Sequence, residues 1–313
     1  MPAQIVPTAA PKIESTFKAR EVEGFLDLHF YRPIGFRLAQ VFARLRFKPS
    51  GVSVLAGICG VIAGHLYFYR VPSINIAGMV LHACSNTLDN ADGQLARLRN
   101  QESRQGRIID SVADHLAFLS IYLNLTLRYV FQGASPAIWF LALGAGISHA
   151  LQGAAADYYR STYLYFTGSA RTELHSSSDL HLDYRKLSWK QNSWDKLLLA
   201  LYSNFTFQQE VLAPHLKKLR ENVDAALNGQ IPGWLHQRYR DSVGETLRWW
   251  QLLMTNTRML VLFVLLFVGQ PVYYFWFELI PLNMVLICLI VRQEKMARSL
   301  LCHVERSRDI PMS

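Results

Sequence analysis

The sequence is poor in cysteine and in acidic residues. Its four cysteines, among 313 residues, stand at no spacing typical of a metal site or a disulfide framework, so we interpret them as packing residues. Lys and Arg number 32 against 23 Asp and Glu, which gives a net charge of +9. No basic module interleaved with aromatics accompanies that charge, so no nucleic acid partner is expected. Residues 1–17 lack an apolar run, which argues against a cleavable signal peptide.

Long apolar segments are abundant instead. The chain is 51% hydrophobic with a mean hydropathy of +0.11, too apolar for an ordinary soluble protein and too polar for one embedded throughout. A spanning helix needs roughly 20 residues. The sequence therefore predicts an all-α integral membrane protein with six transmembrane helices, the second and third being the least apolar. They lie at 51–69, 73–92, 108–131, 136–157, 252–270 and 272–291.

The spans divide the chain into five predicted regions. Residues 1–48 form an N-terminal tail and an amphipathic surface helix, because apolar residues from Phe30 to Leu45 line one helical face beside several arginines. Residues 49–159 hold the first four spans, 160–250 a helical cytosolic insertion, 251–292 the last two spans and 293–313 a cytosolic tail. The insertion has nearly balanced charges, and we interpret it either as a cap over the active site or as a contact surface.

The loops predict the orientation. Lys and Arg are frequent in the N-terminal flank, between Arg97 and Arg107, in the insertion and after Arg292, and the opposite turns carry few. Because cytoplasmic loops are enriched in these residues, we expect a cell-membrane protein whose termini and active site face the cytoplasm. Arg258 enters the fifth span, where it either binds an anionic ligand or extends to the interface.

One motif spans the end of the second predicted span and the start of the third. It reads D-x2-D-G-x2-A-R-x8-G-x3-D-x3-D, from Asp89 to Asp114. On helices, Asp89 and Asp92 share a face, as do Asp110 and Asp114. Four carboxylates beside apolar residues repel each other strongly. One or two hard divalent cations, Mg²⁺ or Mn²⁺, are the simplest neutralisers.

The other motif residues suit a phosphate ligand. Gly93 and Gly106 leave the helix surface bare for a close approach to the backbone. Arg97 supplies a planar fork for phosphate oxygens. The chemistry indicated is displacement at phosphorus, with metal ions polarising a diphosphate and a carboxylate available as base.

The motif resembles the signature of the CDP-alcohol phosphotransferase (CDP-alcohol phosphatidyltransferase) family, and every signature position is filled. The resemblance implies an enzyme of phospholipid biosynthesis that moves a substituted phosphoryl group from a CDP-linked alcohol to an acceptor alcohol and releases CMP. It implies that Asp89, Asp92 and Asp110 are metal ligands. For Asp114, the resemblance implies two roles, as a ligand to a second metal and as the catalytic base. The CDP pocket would be formed by Gly93, Ala96, Arg97 and Gly106.

The resemblance leaves the substrates open. CDP-diacylglycerol is the expected donor, in contact with membrane lipid, but a CDP-linked polar head group with a lipid or soluble acceptor would use the same motif. Two other hypotheses are a cation carrier, whose polar path would have to continue through the bilayer, and a non-catalytic scaffold, which retention of all four acids disfavours. A homodimer and the number of bound metals stay open.

Overall fold

The structure is a computed structural model that describes residues 20–168, 176–227 and 231–308. Within these ranges the regular elements are helical and none is a strand, which confirms the all-α prediction. Two short 3-10 helices lie at Arg20–Val22 and Gln251–Leu253, and a π-helix lies at Asp27–Tyr31. The α-helices are α1 (Arg32–Arg44), α2 (Pro49–Leu66), α3 (Pro72–Leu98), α4 (Arg104–Val130), α5 (Ile138–Phe166), α6 (Ser177–Lys186), α7 (Ser193–Leu212), α8 (Pro214–Leu227), α9 (Gly233–Trp250), α10 (Thr255–Phe267), α11 (Val272–Leu279) and α12 (Pro281–Arg308).

Five helical segments of the described chain are long and apolar enough to cross a membrane. They are Pro49–Leu66, Gln105–Val130, Ile138–Phe166, Gly233–Phe267 and Val272–Glu305. Each contains one of the six predicted spans or most of it. The remaining one, 73–92, lies in α3, which is 27 residues long but carries polar residues through its second half. The protein is thus a multi-pass membrane protein, and its sixth span stays a prediction.

The last predicted span is not one continuous helix. α11 ends at Leu279, and α12 begins at Pro281. Proline has no N–H to donate to the preceding turn, and its ring collides with the backbone of that turn. The break therefore follows from Pro281, and it separates an eight-residue helix from one of 28 residues.

The described residues form two compact units, which divide between Asn124 and Leu125. In the first unit, α2 and α4 approach closely through glycines of α2. A Cβ atom added to Gly57 would lie 2.8 Å from the Ala113 Cβ atom, and one added to Gly60 would lie 2.5 Å from the Ala117 Cβ atom. Small residues permit such contacts between membrane helices. This packing holds the motif segment of α4 against α2.

The chain before α2 has two different faces. Tyr31, Gly35 and Ala39 are buried, and a Cβ atom on Gly35 would lie 3.3 Å from the Ala91 backbone nitrogen in α3. The opposite face exposes apolar side chains, among them Phe30 and Val41. The surface position of this segment on a membrane stays a prediction, as do the domain boundaries at 48, 159, 250 and 292.

Candidate active site

Three of the four motif carboxylates converge in the first unit. Asp89 and Asp92 lie on α3, and Asp110 lies on α4. One carboxylate oxygen from each can be chosen so that all three atoms lie within 4.8 Å of one another. Among the described residues, this is the one group of three or more histidines, cysteines or acids that could hold a metal ion. The structure thus gathers the side chains that the motif assigned to the metal.

Asp92 is the most enclosed member of this group. Its side chain is 5% exposed, whereas Asp89 and Asp110 are half-buried. The Ser53 hydroxyl and the Asp110 carboxyl group contact the Asp92 carboxylate. The Asp92 Oδ2 atom is nevertheless buried without a hydrogen-bond partner. A buried carboxylate oxygen in that state costs free energy unless a cation or donor reaches it.

Asp114 lies outside the group of three. It follows Asp110 by one turn of α4, and its side chain is exposed. Its charge is within electrostatic range of Asp89. The spacing predicted a shared face with Asp110, and the helix provides it, but the side chain does not complete the cluster. An exposed carboxylate one turn away has the access that a base acting on a second substrate needs.

Arg97 lies beside Gly93 on the same helix. A Cβ atom on Gly93 would be 3.3 Å from the Arg97 Nη2 atom. The Arg97 side chain is largely buried, its Nε atom has no hydrogen-bond partner, and its Nη1 atom is 4.0 Å from the Glu102 Oε1 atom. The guanidinium group therefore has unused donor capacity within one and a half turns of Asp92. Ala96, which precedes Arg97, is half-buried on the same helix.

Gly106 has a local structural role that the motif did not reveal. Its backbone N–H donates to the Ser103 hydroxyl at 3.0 Å, in the first turn of α4. A hydroxyl just before a helix satisfies one of the free N–H groups of the first turn. A Cβ atom on Gly106 would lie 3.0 Å from the same oxygen. The absence of a Cβ atom at Gly106 thus makes room for the Ser103 cap, and it also leaves the helix surface bare, as the motif predicted.

Polar contacts that the motif did not predict fix the ends of α3 and α1. The Gln94 side chain donates to the Arg32 carbonyl at 3.1 Å, and Arg32 pairs with Glu23 at 2.7 Å in a buried position. Arg99 donates to the carbonyls of Ala43 and Phe47, both at 2.6 Å, where α1 ends. In the sequence, these contacts could have been found from Gln94, a polar residue on the side of α3 away from the motif acids. These bonds hold α3 in register beside α1.

The second unit contains a different arrangement of buried charge. Arg258 is 3% exposed and Glu278 is fully buried, and the Arg258 Nε atom lies 3.3 Å from the Glu278 Oε1 atom. His149 lies 3.5 Å from the same oxygen, and Gln152 accepts a hydrogen bond from Arg258 at 2.7 Å. Arg258 therefore does not extend to the interface but pairs with Glu278 inside the unit. Its Nε atom and both Glu278 carboxylate oxygens nevertheless lack a hydrogen-bond partner. Glu278, the single acidic residue of 272–291, which contains no Lys, Arg or His, was the overlooked signal.

The residues present fit a divalent cation and a phosphate group. Carboxylate oxygens from two helices form the hard, anionic donor set that Mg²⁺ and Mn²⁺ prefer. The buried Asp92 Oδ2 atom lacks a hydrogen bond, and the partly unused Arg97 guanidinium lies on the same helix. A cation would offset the repulsion among the acids, and an anion would complete the donors of Arg97.

Comparison with known families agrees with this geometry. The family described as CDP-alcohol phosphatidyltransferase matches residues 46–162, the segment that contains all of the motif. Residues 46–162 of this chain are thus similar to a CDP-alcohol phosphatidyltransferase domain. The insertion and the last spans lie outside the matched residues.

Three relatives illustrate the range of the similarity. The bifunctional IPC transferase and DIPP synthase of Thermococcus kodakarensis is 25% identical over 144 residues, which cover 45% of this chain and 31% of that protein. The CDP-diacylglycerol–serine O-phosphatidyltransferase of Mycobacterium tuberculosis is 31% identical over 104 residues, 32% of this chain and 33% of that protein. The CDP-diacylglycerol–inositol 3-phosphatidyltransferase of Rattus norvegicus is 31% identical over 75 residues, 24% of this chain and 35% of that protein. The chain thus spans about a third of the length of each relative.

Proposed function

We propose that this protein transfers a substituted phosphoryl group from a CDP-linked alcohol to an acceptor alcohol and releases CMP, in phospholipid biosynthesis. The observation that carries the proposal is the convergence of Asp89, Asp92 and Asp110 within 4.8 Å, inside the matched domain. A cluster of three acids has little structural use in an apolar helix bundle, because like charges repel strongly there. It has a clear use in holding the metal ions of phosphoryl transfer.

Each motif residue has a role in this proposal. Asp89, Asp92 and Asp110 would hold Mg²⁺ or Mn²⁺, with Asp114 as a ligand if a second ion binds. When bound, the ion supplies charge neutralisation at the diphosphate. Arg97 grips donor phosphate oxygens, with Gly93, Ala96 and Gly106 leaving space for the CDP group.

The transfer itself requires one proton acceptor. Asp114 takes the proton of the acceptor hydroxyl while the new P–O bond forms on the substituted phosphorus. The bond from that phosphorus to the diphosphate bridging oxygen breaks, and CMP leaves with its electron pair. The exposed position of Asp114, one turn from Asp110, supports this assignment because the acceptor must reach the base.

CDP-diacylglycerol is the proposed donor. Two of the relatives are named for that donor, and their acceptors, serine and inositol, differ. The matched residues contain the motif proposed to bind the CDP part of the donor. That part is the same in CDP-diacylglycerol and in a CDP-linked polar head group. A CDP-linked polar head group is accordingly the alternative that the experiment must include.

The deciding experiment is CMP release by the purified protein in mixed micelles with Mg²⁺ or Mn²⁺. CDP-diacylglycerol is tested with a panel of polar alcohols that includes serine and inositol, and CDP-linked head groups are tested with diacylglycerol. We expect acceptor-dependent CMP release that stops on chelation and returns with the metal. Absence of CMP release from every pair, in a protein that is folded and binds Mn²⁺, would contradict the proposal.

We also propose that the site opens to the cytoplasm, because the Lys- and Arg-rich loops all fall on one side of a six-span arrangement. The arrangement requires α3 to cross the membrane. Single cysteines at Ser103 and Ser177, in a cysteine-free background, should resist an impermeant thiol reagent on intact cells and react after permeabilisation. Labelling of Ser103→Cys on intact cells would reverse the orientation.

A further inference from the structure

The insertion contains one helix that is apolar on two opposite faces. α7 buries Leu198 and Leu199, which is the usual core-facing side of a helix. Its opposite side exposes large apolar residues in two groups at helical spacing, the first up to Leu201 and the second from Phe207, which together cover a broad face. Two of them, Trp194 and Leu201, are 59% and 48% exposed. The exposed set is Trp194, Leu197, Leu201, Phe207 and Val211.

The neighbouring helix provides an internal comparison. α8 buries Leu216, Leu219 and Val223, and it exposes charged residues such as Lys218 and Glu221. That is the pattern of a helix between a core and water. α7 belongs to the same unit and has the same kind of inner face, yet its outer face is mainly apolar, with Asn204 as an exposed polar residue among the apolar ones. Its surroundings must therefore differ from those of α8.

The orientation of α7 is fixed by polar contacts on its inner side. The buried Glu210 carboxylate accepts bonds from the Ser177 N–H at 3.1 Å and from the Ser177 hydroxyl at 2.6 Å. It also pairs with Lys217 at 2.7 Å and Arg220 at 3.4 Å. Burial alone would raise the pKa of Glu210, but the bonds from Lys217 and Ser177 outweigh it and lower that pKa. A rotation that hid the apolar face would break this network.

α7 is also attached to a membrane-spanning helix. The Gln209 side chain donates to the Asp157 carboxylate on α5 at 3.1 Å. Asp157 lies about 29 Å along α5 from Ile138, at 1.5 Å per residue. That length is close to the roughly 30 Å thickness of the hydrocarbon core. The contact therefore places the end of α7 near the level where α5 leaves the apolar part of the membrane.

The start of α7 has the composition of a membrane interface. Residues 183–196 contain four basic residues against two acids, Asp183 and Asp195, and Lys186 pairs with Asp183 at 3.0 Å. They also contain two exposed tryptophans, Trp189 and Trp194. Tryptophans are enriched at the boundary between lipid and water, and basic residues are attracted to anionic leaflets. The basic residues are Arg185, Lys186, Lys190 and Lys196.

We propose that α7 lies along the membrane surface with its outer apolar face in the lipid of an anionic leaflet. A helix of 20 residues, about 30 Å long, then lies in the interfacial plane, held to α5 on one side and to lipid on the other. The insertion is thereby bound to the membrane along its length. This inference uses the membrane fold and does not depend on the proposed phosphotransferase activity.

The test uses the full-length protein reconstituted into vesicles. The four native cysteines, Cys59, Cys84, Cys288 and Cys302, are replaced by alanine, and single cysteines are introduced by Leu201→Cys and Phe207→Cys. Lys218→Cys on α8 is the matched exposed control. Each is labelled with an environment-sensitive fluorophore, in vesicles with ordinary or brominated acyl chains. We expect emission at shorter wavelength and loss of intensity with brominated lipid at positions 201 and 207, and water-like, unquenched emission at 218.

Other outcomes would overturn the proposal. Water-like emission at both 201 and 207 would show that the outer face of α7 is in solvent. Emission at short wavelength without quenching, together with crosslinking between copies through Leu201→Cys, would show that a second copy covers the face. Equal quenching in phosphatidylcholine alone and in vesicles containing phosphatidylglycerol would overturn the requirement for an anionic leaflet.

Discussion

The two units contain buried charge in opposite arrangements. In the first unit, Asp89, Asp92 and Asp110 bring like charges within 4.8 Å. In the second, Arg258 and Glu278 bring opposite charges to 3.3 Å. The opposite charges of an ion pair offset each other, whereas the like charges of a carboxylate group do not. Both arrangements include buried polar atoms without a hydrogen-bond partner, so the sign of the neighbouring charge is what distinguishes them.

The largest effect is expected from breaking the ion pair. Glu278→Gln leaves the Arg258 charge buried without its acidic partner, which typically costs about 3–5 kcal/mol of stability. Replacing both residues by methionine should recover most of that loss, since apolar residues of similar volume replace buried ion pairs well. Denaturant unfolding in detergent measures both variants. CMP release per folded molecule should stay at the wild-type value, and a selective loss of turnover would instead place the pair in the reaction.

Loss of one charge from the group of three carboxylates should affect stability in the opposite sense to loss of Glu278. Asp92→Asn removes one of three repelling charges, so the metal-free protein should be as stable as wild type or more so. Turnover should fall on the order of 10²–10³-fold, as for the loss of one preorganised electrostatic group. Mg²⁺ or Mn²⁺ should raise the melting temperature of the wild type and not of the variant.

Asp241→Asn, an exposed acid on α9, is the control for this substitution. It should change neither turnover nor the response to metal. Wild-type turnover in Asp92→Asn, or a melting temperature of the wild type that metal leaves unchanged, would mean that the three carboxylates are not a metal site.

The sequence predicted the first arrangement better than the second. Helical periodicity placed the motif acids in pairs on one face of α3 and one face of α4, and the resemblance to the family signature joined the two pairs. Arg258 and Glu278 are twenty residues apart on different helices, and their pairing depends on how α10 and α11 pack. The sequence also did not predict where each side chain lies within a helical turn. Asp114 shares a face of α4 with Asp110, yet it lies outside the group of three carboxylates. The predicted span 272–291 was drawn as continuous, and the helix break at Pro281 was missed although a proline was there to indicate it.

The span count shows another limit of sequence patterns. α3 has the length of a span, but its apolar first half is followed by the polar motif. Hydropathy averages over such a helix, so the polar motif residues lower the mean hydropathy of a segment that is otherwise long and apolar enough to span. The same averaging concealed the outer face of α7, because the charges of its neighbours make the insertion as a whole balanced.

A moderate effect is expected at the phosphate contact. Arg97→Lys keeps the charge but loses the planar fork, and Lys cannot grip two oxygens in the same way. The expected loss of donor affinity is about 1–3 kcal/mol, the range of hydrogen bonds to charged groups. Binding of a CDP-linked donor analogue measures it. Arg99→Lys, which alters a guanidinium bound to backbone carbonyls, should lower stability and leave donor affinity unchanged. Equal donor affinity in Arg97→Lys and wild type would remove Arg97 from the phosphate site.

The smallest effect is expected from a single methyl group beside Arg97. Gly93→Ala places a Cβ atom 3.3 Å from the Arg97 Nη2 atom, the mobile end of a long side chain, so the fold can adapt. Alanine favours the helix by about 1 kcal/mol over glycine. Unfolding stability should therefore stay equal or rise slightly, while donor affinity falls by less than about tenfold as the guanidinium shifts.

Gly60→Ala is the matched substitution for purely structural packing. Its Cβ atom would lie 2.5 Å from the Ala117 Cβ atom, where neither helix can yield easily. It should lower stability by about 1–3 kcal/mol and leave donor affinity unchanged, because overpacking acts on the fold. The two alanine variants thus separate a glycine kept for a ligand from one kept for helix contact. If Gly93→Ala lost stability as Gly60→Ala does while donor affinity held, Gly93 would be a packing residue, and the bare surface proposed for the CDP group would have to lie elsewhere on α3.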